Sequence, residues 1–374
     1  MKSKILAVAL TASMMPSLPA HAEKTPLDLR IGGYVRGYVT HNTQDTAAGM
    51  SARHVDVVRD TEIHLKGAAT LDNGVRIGAV FEITADIPDG NIDKSFIYAE
   101  EKWGRVELGA NNGVAYLLQV DAPAADSNYD GARQYVRALN YTLAPAVFAP
   151  LSGHDLEYAH DTSASTDKIN YLTPVFGGFQ AGISYTPDTQ ASAFTGHQES
   201  TATSRGLNGV NTDHVAGAYG SAWDVAARYE TEIDELELLA GAGYVHVDLE
   251  NADPGESDLD SWNAAAALNY QGWGVGVSYT ENDNGRRVDT DTKILVAGAD
   301  YSTGAWKFGA SWYGRTDENF AGGAALDTDR YSAGAGYTYG PGMSLRGSVH
   351  HIDHEVGTAD MNATTLLLGT QVSF

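Results

Sequence analysis

The sequence contains no cysteine, few basic residues and, beyond its first residues, no long apolar run. An exported chain without cysteine forms no disulfide, so its stability has to come from backbone pairing and packing. Lys and Arg number 24 against 48 Asp and Glu. This balance argues against nucleic acid as a partner, because phosphate backbones are bound by basic residues. The missing apolar runs exclude membrane-spanning helices after residue 22.

The first 22 residues, Met1 to Ala22, are typical of a cleavable secretory signal. Two lysines precede a short apolar run from Ile5 to Met15, and Ala20-His21-Ala22 supplies a cleavage site before Glu23. An uncleaved membrane anchor would need about 20 apolar residues, and the run ends at two prolines before it reaches that length. We therefore expect export and a mature domain over residues 23–374.

In place of apolar runs, the rest of the chain shows alternation. One stripe occupies every second position at the end of the chain: Leu366, Leu368, Thr370, Val372 and Phe374. A period of two indicates a strand with one face in an apolar medium. Sixteen segments of this kind follow one another, and the prolines after residue 22 all fall between them. That placement is expected because proline cannot donate to a strand ladder.

The connections between these segments alternate in length. One set is very short, as at Asp72-Asn73-Gly74, and the other is long and acidic. Short turns on one side and long loops on the other are typical of bacterial outer-membrane barrels, in which the short turns and both termini lie in the periplasm. Because lipid offers no partner to an open sheet edge, we predict an all-β fold. It is a transmembrane 16-stranded antiparallel β-barrel that holds a water channel.

Three segments carry a resemblance to a known family. They are Thr370-Gln371-Val372-Ser373-Phe374, Trp103-Gly104-Arg105-Val106-Glu107-Leu108-Gly109 and Phe176-Gly177-Gly178-Phe179-Gln180-Ala181-Gly182-Ile183-Ser184-Tyr185. With them, essentially the whole mature chain resembles the trimeric general diffusion porins of Gram-negative outer membranes. The resemblance implies residence in the outer membrane, contact with its lipid and lipopolysaccharide, and a homotrimer. It also implies passive diffusion of small hydrophilic solutes and ions.

The resemblance further implies a constriction inside the barrel. The loop at about 111–166, third of the extracellular set, is expected to fold inward, with its acids facing bases on the wall. The matching residues, which we expect at the pore constriction, are Arg30, Arg36, Lys66 and Arg76 on the wall and Asp121, Asp126 and Asp130 on the loop. Opposed charges across a narrow water path create a transverse field. A net acidic lumen also concentrates cations, so we expect a mild cation preference.

The same loop offers alternative field partners, Arg133 and Arg137. The chain also departs from the family pattern at two places. Its second extracellular loop, Asp86 to Asn91, is short, although many relatives use that loop to latch onto the neighbouring subunit. The third loop lacks the short acidic glycine-rich motif of enterobacterial members.

We expect no catalytic residue, no cofactor and no metal centre. In His350-His351-Ile352-Asp353-His354, alternation sends two histidines to one face and His351 with Asp353 to the other, so four ligands do not converge. Ser152 near His154 is too common a pair to indicate a catalytic triad. Loop-bound Ca²⁺ is the one ion left open, because several carboxylates cluster without EF-hand spacing. These are Asp248, Glu250, Asp253, Glu256, Asp258 and Asp260.

The sequence leaves three functions open. The first is a passive, water-filled diffusion channel, which we favour. The second is a substrate-specific channel with a track of aromatic side chains at the constriction: Tyr116, Tyr129, Tyr135 and Tyr141. The third is an outer-membrane barrel enzyme, which conducting pores in a planar bilayer would argue against.

Overall fold

A computed structural model describes residues 27–86, 91–151, 155–189, 215–251, 254–286, 290–321 and 323–374. The expected signal segment, residues 87–90 of the short second loop, the pair Ser152 and His154, and Asp253 lie outside the described residues. The sixteen predicted strands are confirmed, and all neighbours pair antiparallel. The strands are β1 (Asp28–Gln44), β2 (Val55–Thr70), β3 (Arg76–Thr84), β4 (Asn91–Glu101), β5 (Gly104–Ala110), β6 (Asp167–Leu172), β7 (Phe179–Thr186), β8 (Tyr219–Ile233), β9 (Leu236–Leu249), β10 (Leu259–Tyr270), β11 (Trp273–Asn282), β12 (Thr292–Thr303), β13 (Trp306–Ala321), β14 (Ala324–Gly340), β15 (Met343–Val356) and β16 (Ala359–Ser373).

The sheet closes on itself through its first and last strands. Val35 on β1 lies opposite Thr61 on β2 and opposite Val372 on β16. The backbone amide of Phe374 donates to the carbonyl oxygen of Gly33 at 3.0 Å, which extends this pairing to the last residue. A closed ladder leaves no unpaired edge, as residence in lipid requires.

Alternation divides each strand between the outside and the lumen. Leu366 and Leu368 on β16 are 53% and 69% exposed, whereas Leu367 between them is 3% exposed. On β4, whose outward face the sequence pattern does not assign, Ile97 is 54% exposed and Phe96 is 8% exposed, so Ile97 faces outward. The outside of the barrel is therefore an apolar band that lipid has to cover.

The two rims differ, although less sharply than the sequence suggests. On one rim, tight turns join strand pairs, as at Gly74, whose φ of +88° favours glycine. On the other rim, β13 and β14 continue to Ala321 and Ala324, and β15 and β16 continue to Val356 and Ala359. Two connections expected to be long are therefore tight. The reason is that polar residues such as Thr316, which donates to Asp327 at 2.7 Å, extend the ladder beyond the apolar band.

Within the described residues, the helices lie in the long connection between β5 and β6. They are α1 (Val114–Leu117) and two 3₁₀ segments, Tyr141–Leu143 and Ala146–Leu151. None of the helices in the described ranges combines the length and apolar character needed to cross a bilayer. Apolar clusters form where this connection meets the inner wall, for example Phe148 and Leu151 against Leu326 and Met361. The connection therefore packs inside the barrel.

Candidate pore constriction

The connection over residues 111–166, called the constriction loop below, is fastened where it enters and leaves the wall. The ammonium of Lys168 on β6, which is 3% exposed, donates to the carbonyl oxygens of Asn111 at 2.5 Å and Ser163 at 3.3 Å. It also contacts Thr166 Oγ1 at 3.2 Å. One buried cation thus satisfies backbone acceptors from both ends of the loop, which holds the loop ends together.

Glycines on the inner wall let the loop backbone lie against the strands. A Cβ atom at Gly298 on β12 would stand 1.8 Å from the carbonyl oxygen of Pro123, and one at Gly309 on β13 would stand 2.4 Å from that of Ala124. Neither glycine has a positive φ, so the requirement here is space and not backbone freedom. The wall from β11 to β14 is in this way a groove for loop residues 123–125.

The acids Asp126 and Asp130 fix the next part of the loop. Asp126 accepts from Tyr38 on β1 at 3.2 Å and from the guanidinium of Arg346 on β15 at 3.0 Å. Asp130 accepts from the backbone amides of Ala125 at 2.9 Å and Asp126 at 2.7 Å. The two residues are 4% and 1% exposed. They hold the loop to itself and to the wall, and passing solutes cannot reach them.

Arg330 on β14 holds the part of the constriction loop that contains Asp130. It is 0% exposed, and its guanidinium donates to the carbonyl oxygens of Leu156 at 2.7 Å and Asp130 at 3.4 Å. It also lies 4.8 Å from the ring centroid of Tyr313. A buried guanidinium whose donors meet carbonyl oxygens holds two distant parts of the loop together.

Arg36 on β1, one of the expected wall bases, meets the loop through an aromatic sandwich. Its guanidinium carbon lies 3.8 Å from the ring centroids of Tyr34 on the same strand and of Tyr135 on the loop. Asp60 on β2 is its ion-pair partner at 3.4 Å. The residue is 6% exposed, so it joins the loop to the wall and offers little surface to the water path.

The other expected bases lie nearer the rim of tight turns. Arg30 pairs with Asp28 at 2.7 Å, Arg76 pairs with Glu100 at 3.5 Å, and Lys66 lies beside them. They line a cavity of about 240 Å³ on β1–β5. None of these pairs involves Asp126, which contacts β1 and β15, or Asp130, which accepts from Ser311 on β13.

Asp121 is the expected acid that stays exposed inside the barrel. Enclosure by the surrounding wall raises the pKa of Asp121 to about 6, although Arg228 on β8 and the Gln119 side chain pull it in the opposite direction. A carboxylate with this pKa changes its charge in a mildly acidic range. Asp121 is thus a titrating charge beside the water path.

A second group of lumen residues was not among the expected ones. Glu62 and His64 on β2, Glu82 on β3 and Lys94 on β4 share the inner face and are partly exposed. His64 Nε2 lies 2.9 Å from Glu62 Oε2, and Lys94 donates to Glu82 Oε2 at 2.7 Å. The signal was present in the sequence, because the alternation that places Lys66 in the lumen also places Glu62 and His64 there.

Arg133 is the loop residue that faces this part of the wall. It pairs with Asp161 and lies 4.8 Å from the ring centroid of Tyr116. It is also close enough to act electrostatically on Asp93 of β4. Burial disfavours its charge, yet Asp161 and Glu157 raise the pKa of Arg133 above its usual value, so it stays a cation. Here the loop carries Arg133 beside its own acid Asp161, and the wall carries carboxylates beside Lys94, so bases and acids occur on both sides and the expected separation of charge is absent.

Arg137, the other alternative field partner, points elsewhere. It pairs with Asp155 and its side chain is 63% exposed. It can attract ions at the loop surface, but Arg133 is the alternative base that approaches wall carboxylates.

The remaining candidate ligands follow strand alternation or loop hydrogen bonding. His350 and His354 point into the barrel, where they contact Ser332 at 2.9 Å and Thr328 at 2.8 Å, while His351 pairs with Asp353 at 3.1 Å on the outer face. Among the described loop acids, each carboxylate of the proposed calcium cluster has a hydrogen-bonding or ionic partner in the protein. Calcium binding there stays a prediction.

Comparison with solved structures supports the same architecture. The anion-selective porin from Comamonas acidovorans aligns with a TM-score of 0.61 at 15% sequence identity, covering 93% of this chain and 100% of that chain. A triple mutant of Rhodopseudomonas blastica porin aligns over the same shares with a TM-score of 0.53 at 17% identity. At this level of identity, the likeness shows the fold alone.

Several curated proteins described only as uncharacterized are similar in sequence, among them the following two. One from Rickettsia felis is 26% identical over 232 residues, which are 50% of this chain and 52% of that protein. One from Rickettsia bellii is 24% identical over 265 residues, 66% of this chain and 57% of that protein. The chain thus spans little more than half the length of these relatives. The family profile described as Gram-negative porin matches residues 7–357, and the chain therefore belongs to the Gram-negative porin family.

Proposed function

We propose that the protein is an outer-membrane channel through which small hydrophilic solutes and ions diffuse passively. The observation that carries this proposal is the barrel cross-section. Sixteen strands enclose more space than their own side chains fill. The constriction loop packs against β1 and against the wall from β6 to β16, leaving charged residues of β2–β4 partly exposed in the lumen. A wet, charged path through an apolar cylinder conducts polar solutes.

The expected direction of selectivity is a mild preference for cations. The exposed carboxylate of Asp121, together with Glu62 and Glu82, supports this preference over the opposing bases Lys94 and Arg133. The relative from Comamonas acidovorans is described as anion-selective, so the sign requires its own measurement. The reversal potential in a salt gradient gives it directly, and a potential of the anion-selective sign in the wild type would contradict this part of the proposal.

The burial of tyrosines counts against a substrate-specific channel with an aromatic track. Tyr129 is 1% exposed and Tyr141 is 8% exposed, so two of the four candidate track residues cannot meet a solute. Liposome swelling with sugars of graded size separates the two possibilities. We expect rates that fall smoothly with sugar size, whereas one sugar entering far faster than its size predicts would favour the specific channel. Since Gram-negative porins are channels, we propose no enzymatic activity.

The outer surface supports assembly as a homotrimer. Outward Trp and Tyr residues on β8–β14, such as Trp223, Trp273 and Trp306, are suited to a membrane interface. The outward positions of β1–β5 and β16 carry mostly aliphatic side chains such as Ile31 and Leu368, both more than 60% exposed. A sector poorer in interfacial Trp and Tyr suits contact with another subunit. Light scattering in detergent should give three chains per particle, and a monomer would refute the assembly without refuting the channel.

Planar bilayer recording tests the channel itself. The purified protein should produce stepwise conductance increases in symmetric salt, each step being the insertion of open pores. Failure to form pores, with circular dichroism still dominated by strand, would refute the channel and favour a barrel with another function, such as an outer-membrane enzyme.

A further inference from the structure

Three potential ligands converge on the lumen face of β2 and β3. Glu62 and His64 are two residues apart on β2 and therefore share a face, and Glu82 lies directly opposite His64 in the β2–β3 register. One ligand atom from each residue can be chosen so that all three lie within 4.8 Å of one another. From this geometry we propose that Glu62, His64 and Glu82 form a binding site for a divalent transition-metal ion inside the pore.

The spacing is within side-chain reach of what such an ion needs. Zn²⁺ binds imidazole nitrogen and carboxylate oxygen at about 2.0 to 2.2 Å in tetrahedral geometry, so two of its ligands are about 3.4 Å apart. The ligand atoms lie within 4.8 Å of one another, so the side chains have to close by up to about 1.4 Å, which rotation about their side-chain bonds provides. His64 Nε2 and Glu62 Oε2 already stand 2.9 Å apart. Since the residues sit on paired strands, the backbone does not have to move.

The surroundings support the three ligands. Lys94 donates to Glu82 Oε2 at 2.7 Å, so it orients this carboxylate, which can bind a metal through its other oxygen. The ring of Tyr34 meets the His64 ring edge-on with centroids 6.0 Å apart, which restricts the orientation of the imidazole. Two carboxylates against one ammonium leave an excess of negative charge for a cation.

The donor set selects the class of ion. One imidazole with two carboxylates favours borderline ions such as Zn²⁺ over Mg²⁺, which prefers oxygen ligands alone. The side chains are partly exposed, with values of 16% for Glu62, 21% for His64 and 13% for Glu82. Water in the lumen can therefore complete the coordination sphere, and the ion can enter from the pore without opening the barrel.

A bound ion would change conduction. Zn²⁺ places two positive charges on a wall that otherwise carries an excess of carboxylate. Cations would then meet repulsion from the bound ion where the empty wall attracts them. We expect micromolar Zn²⁺ to lower the conductance of the open channel and equal Mg²⁺ to leave it unchanged.

Calorimetric titration of the full chain in detergent with ZnCl₂ tests binding without relying on the proposed channel. We expect saturable Zn²⁺ binding that is at least about tenfold weaker in His64→Gln, since even the loss of a residue that only supports a metal ligand typically costs tenfold or more. His351→Gln is the matched control, because His351 also lies beside a carboxylate, Asp353 at 3.1 Å, but faces outward. It should bind Zn²⁺ like the wild type.

Equal Zn²⁺ affinity in the wild type and His64→Gln would overturn the site, as would equal responses to Zn²⁺ and Mg²⁺. Should His64→Gln lose the strand signal in circular dichroism, Glu62→Gln replaces it as the test variant with the same expected loss. Bilayer recording then tests whether Zn²⁺ binding lowers the conductance of the channel. Pores that Zn²⁺ lowers in the wild type and in His351→Gln but not in His64→Gln support the site, whereas binding without any pores refutes the channel and leaves the site standing.

Discussion

Replacing Gly298 with alanine should push the constriction loop off the wall and narrow the pore. The added Cβ would stand 1.8 Å from the Pro123 carbonyl oxygen, and ordinary contact begins at 3.4 Å, so the loop has to retreat by about 1.6 Å. It can retreat only towards the lumen, because β12 lies behind it. Overpacking of this kind costs about 1 to 3 kcal/mol.

The neighbouring contacts make this displacement costly to absorb. Asp126, three residues after Pro123, is held by Arg346 at 3.0 Å and by Tyr38 at 3.2 Å. A loop fixed there cannot shift as a whole without weakening these bonds. We therefore expect both a smaller pore and a looser loop, seen as lower single-channel conductance and greater current noise.

The control is Gly336→Ala on β14, another lumen-facing glycine without a positive φ, where the nearest atom to the added Cβ is 3.8 Å away. Planar bilayer recordings of both variants, with urea unfolding followed by Trp fluorescence, give conductance and stability together. Gly336→Ala should match the wild type. If Gly298→Ala also matches it in both measurements, the inference that close loop packing sets the pore width is refuted.

Three further predictions concern the loop and its charges. Because enclosure by the barrel wall raises the pKa of Asp121 to about 6, the cation preference should fall as the pH is lowered through 6. Reversal potentials at pH 8 and 5 should differ less in Asp121→Asn than in the wild type. Burial lowers the pKa of His160 to about 4 from its ordinary 6.5. As the pH falls, the unfolded chain binds a proton at His160 before the folded chain does, so the free energy of unfolding should fall by up to about 3 kcal/mol between pH 6.5 and 4. Urea midpoints should fall less over this range in His160→Gln than in the wild type. An equal fall would contradict the assignment of this loss of stability to His160. Lys168→Met removes charged hydrogen bonds to both ends of the loop, each worth about 1.5 to 3 kcal/mol, and should speed tryptic cleavage at Arg133. Lys102→Met, whose side chain is 94% exposed in a turn, should leave cleavage unchanged.

Much of the fold follows from local pattern. Alternation identifies sixteen strands because each strand residue meets either lipid or the lumen, as Leu366 and Leu367 illustrate with 53% and 3% exposure. The same rule places Arg36 and Lys66 on the inner face. Alternation does not predict where β13 ends and β14 begins. The ladder continues through polar residues beyond the apolar band, where alternation no longer distinguishes lipid from water.

The constriction could be predicted only as a region. Residues 111–166 are too long a connection to lack a role, and the family resemblance indicates that they fold inward. Which acids face the water path depends on contacts between residues far apart in the chain. Asp126 is buried by Tyr38 and Arg346, which are 88 and 220 positions away, while Asp121 stays exposed.

The sequence by itself therefore determined the side of each strand that meets water, because a period of two within one segment sets it. It also determined the closed barrel, because strands with one apolar face in lipid leave no open edge. Only the tertiary structure decided which charges line the pore. Loop residues have no fixed period, so the direction in which each carboxylate points is set by the distant strands against which the loop packs. The convergence of Glu62, His64 and Glu82 was likewise decided only by the tertiary structure, because it depends on the register between two strands.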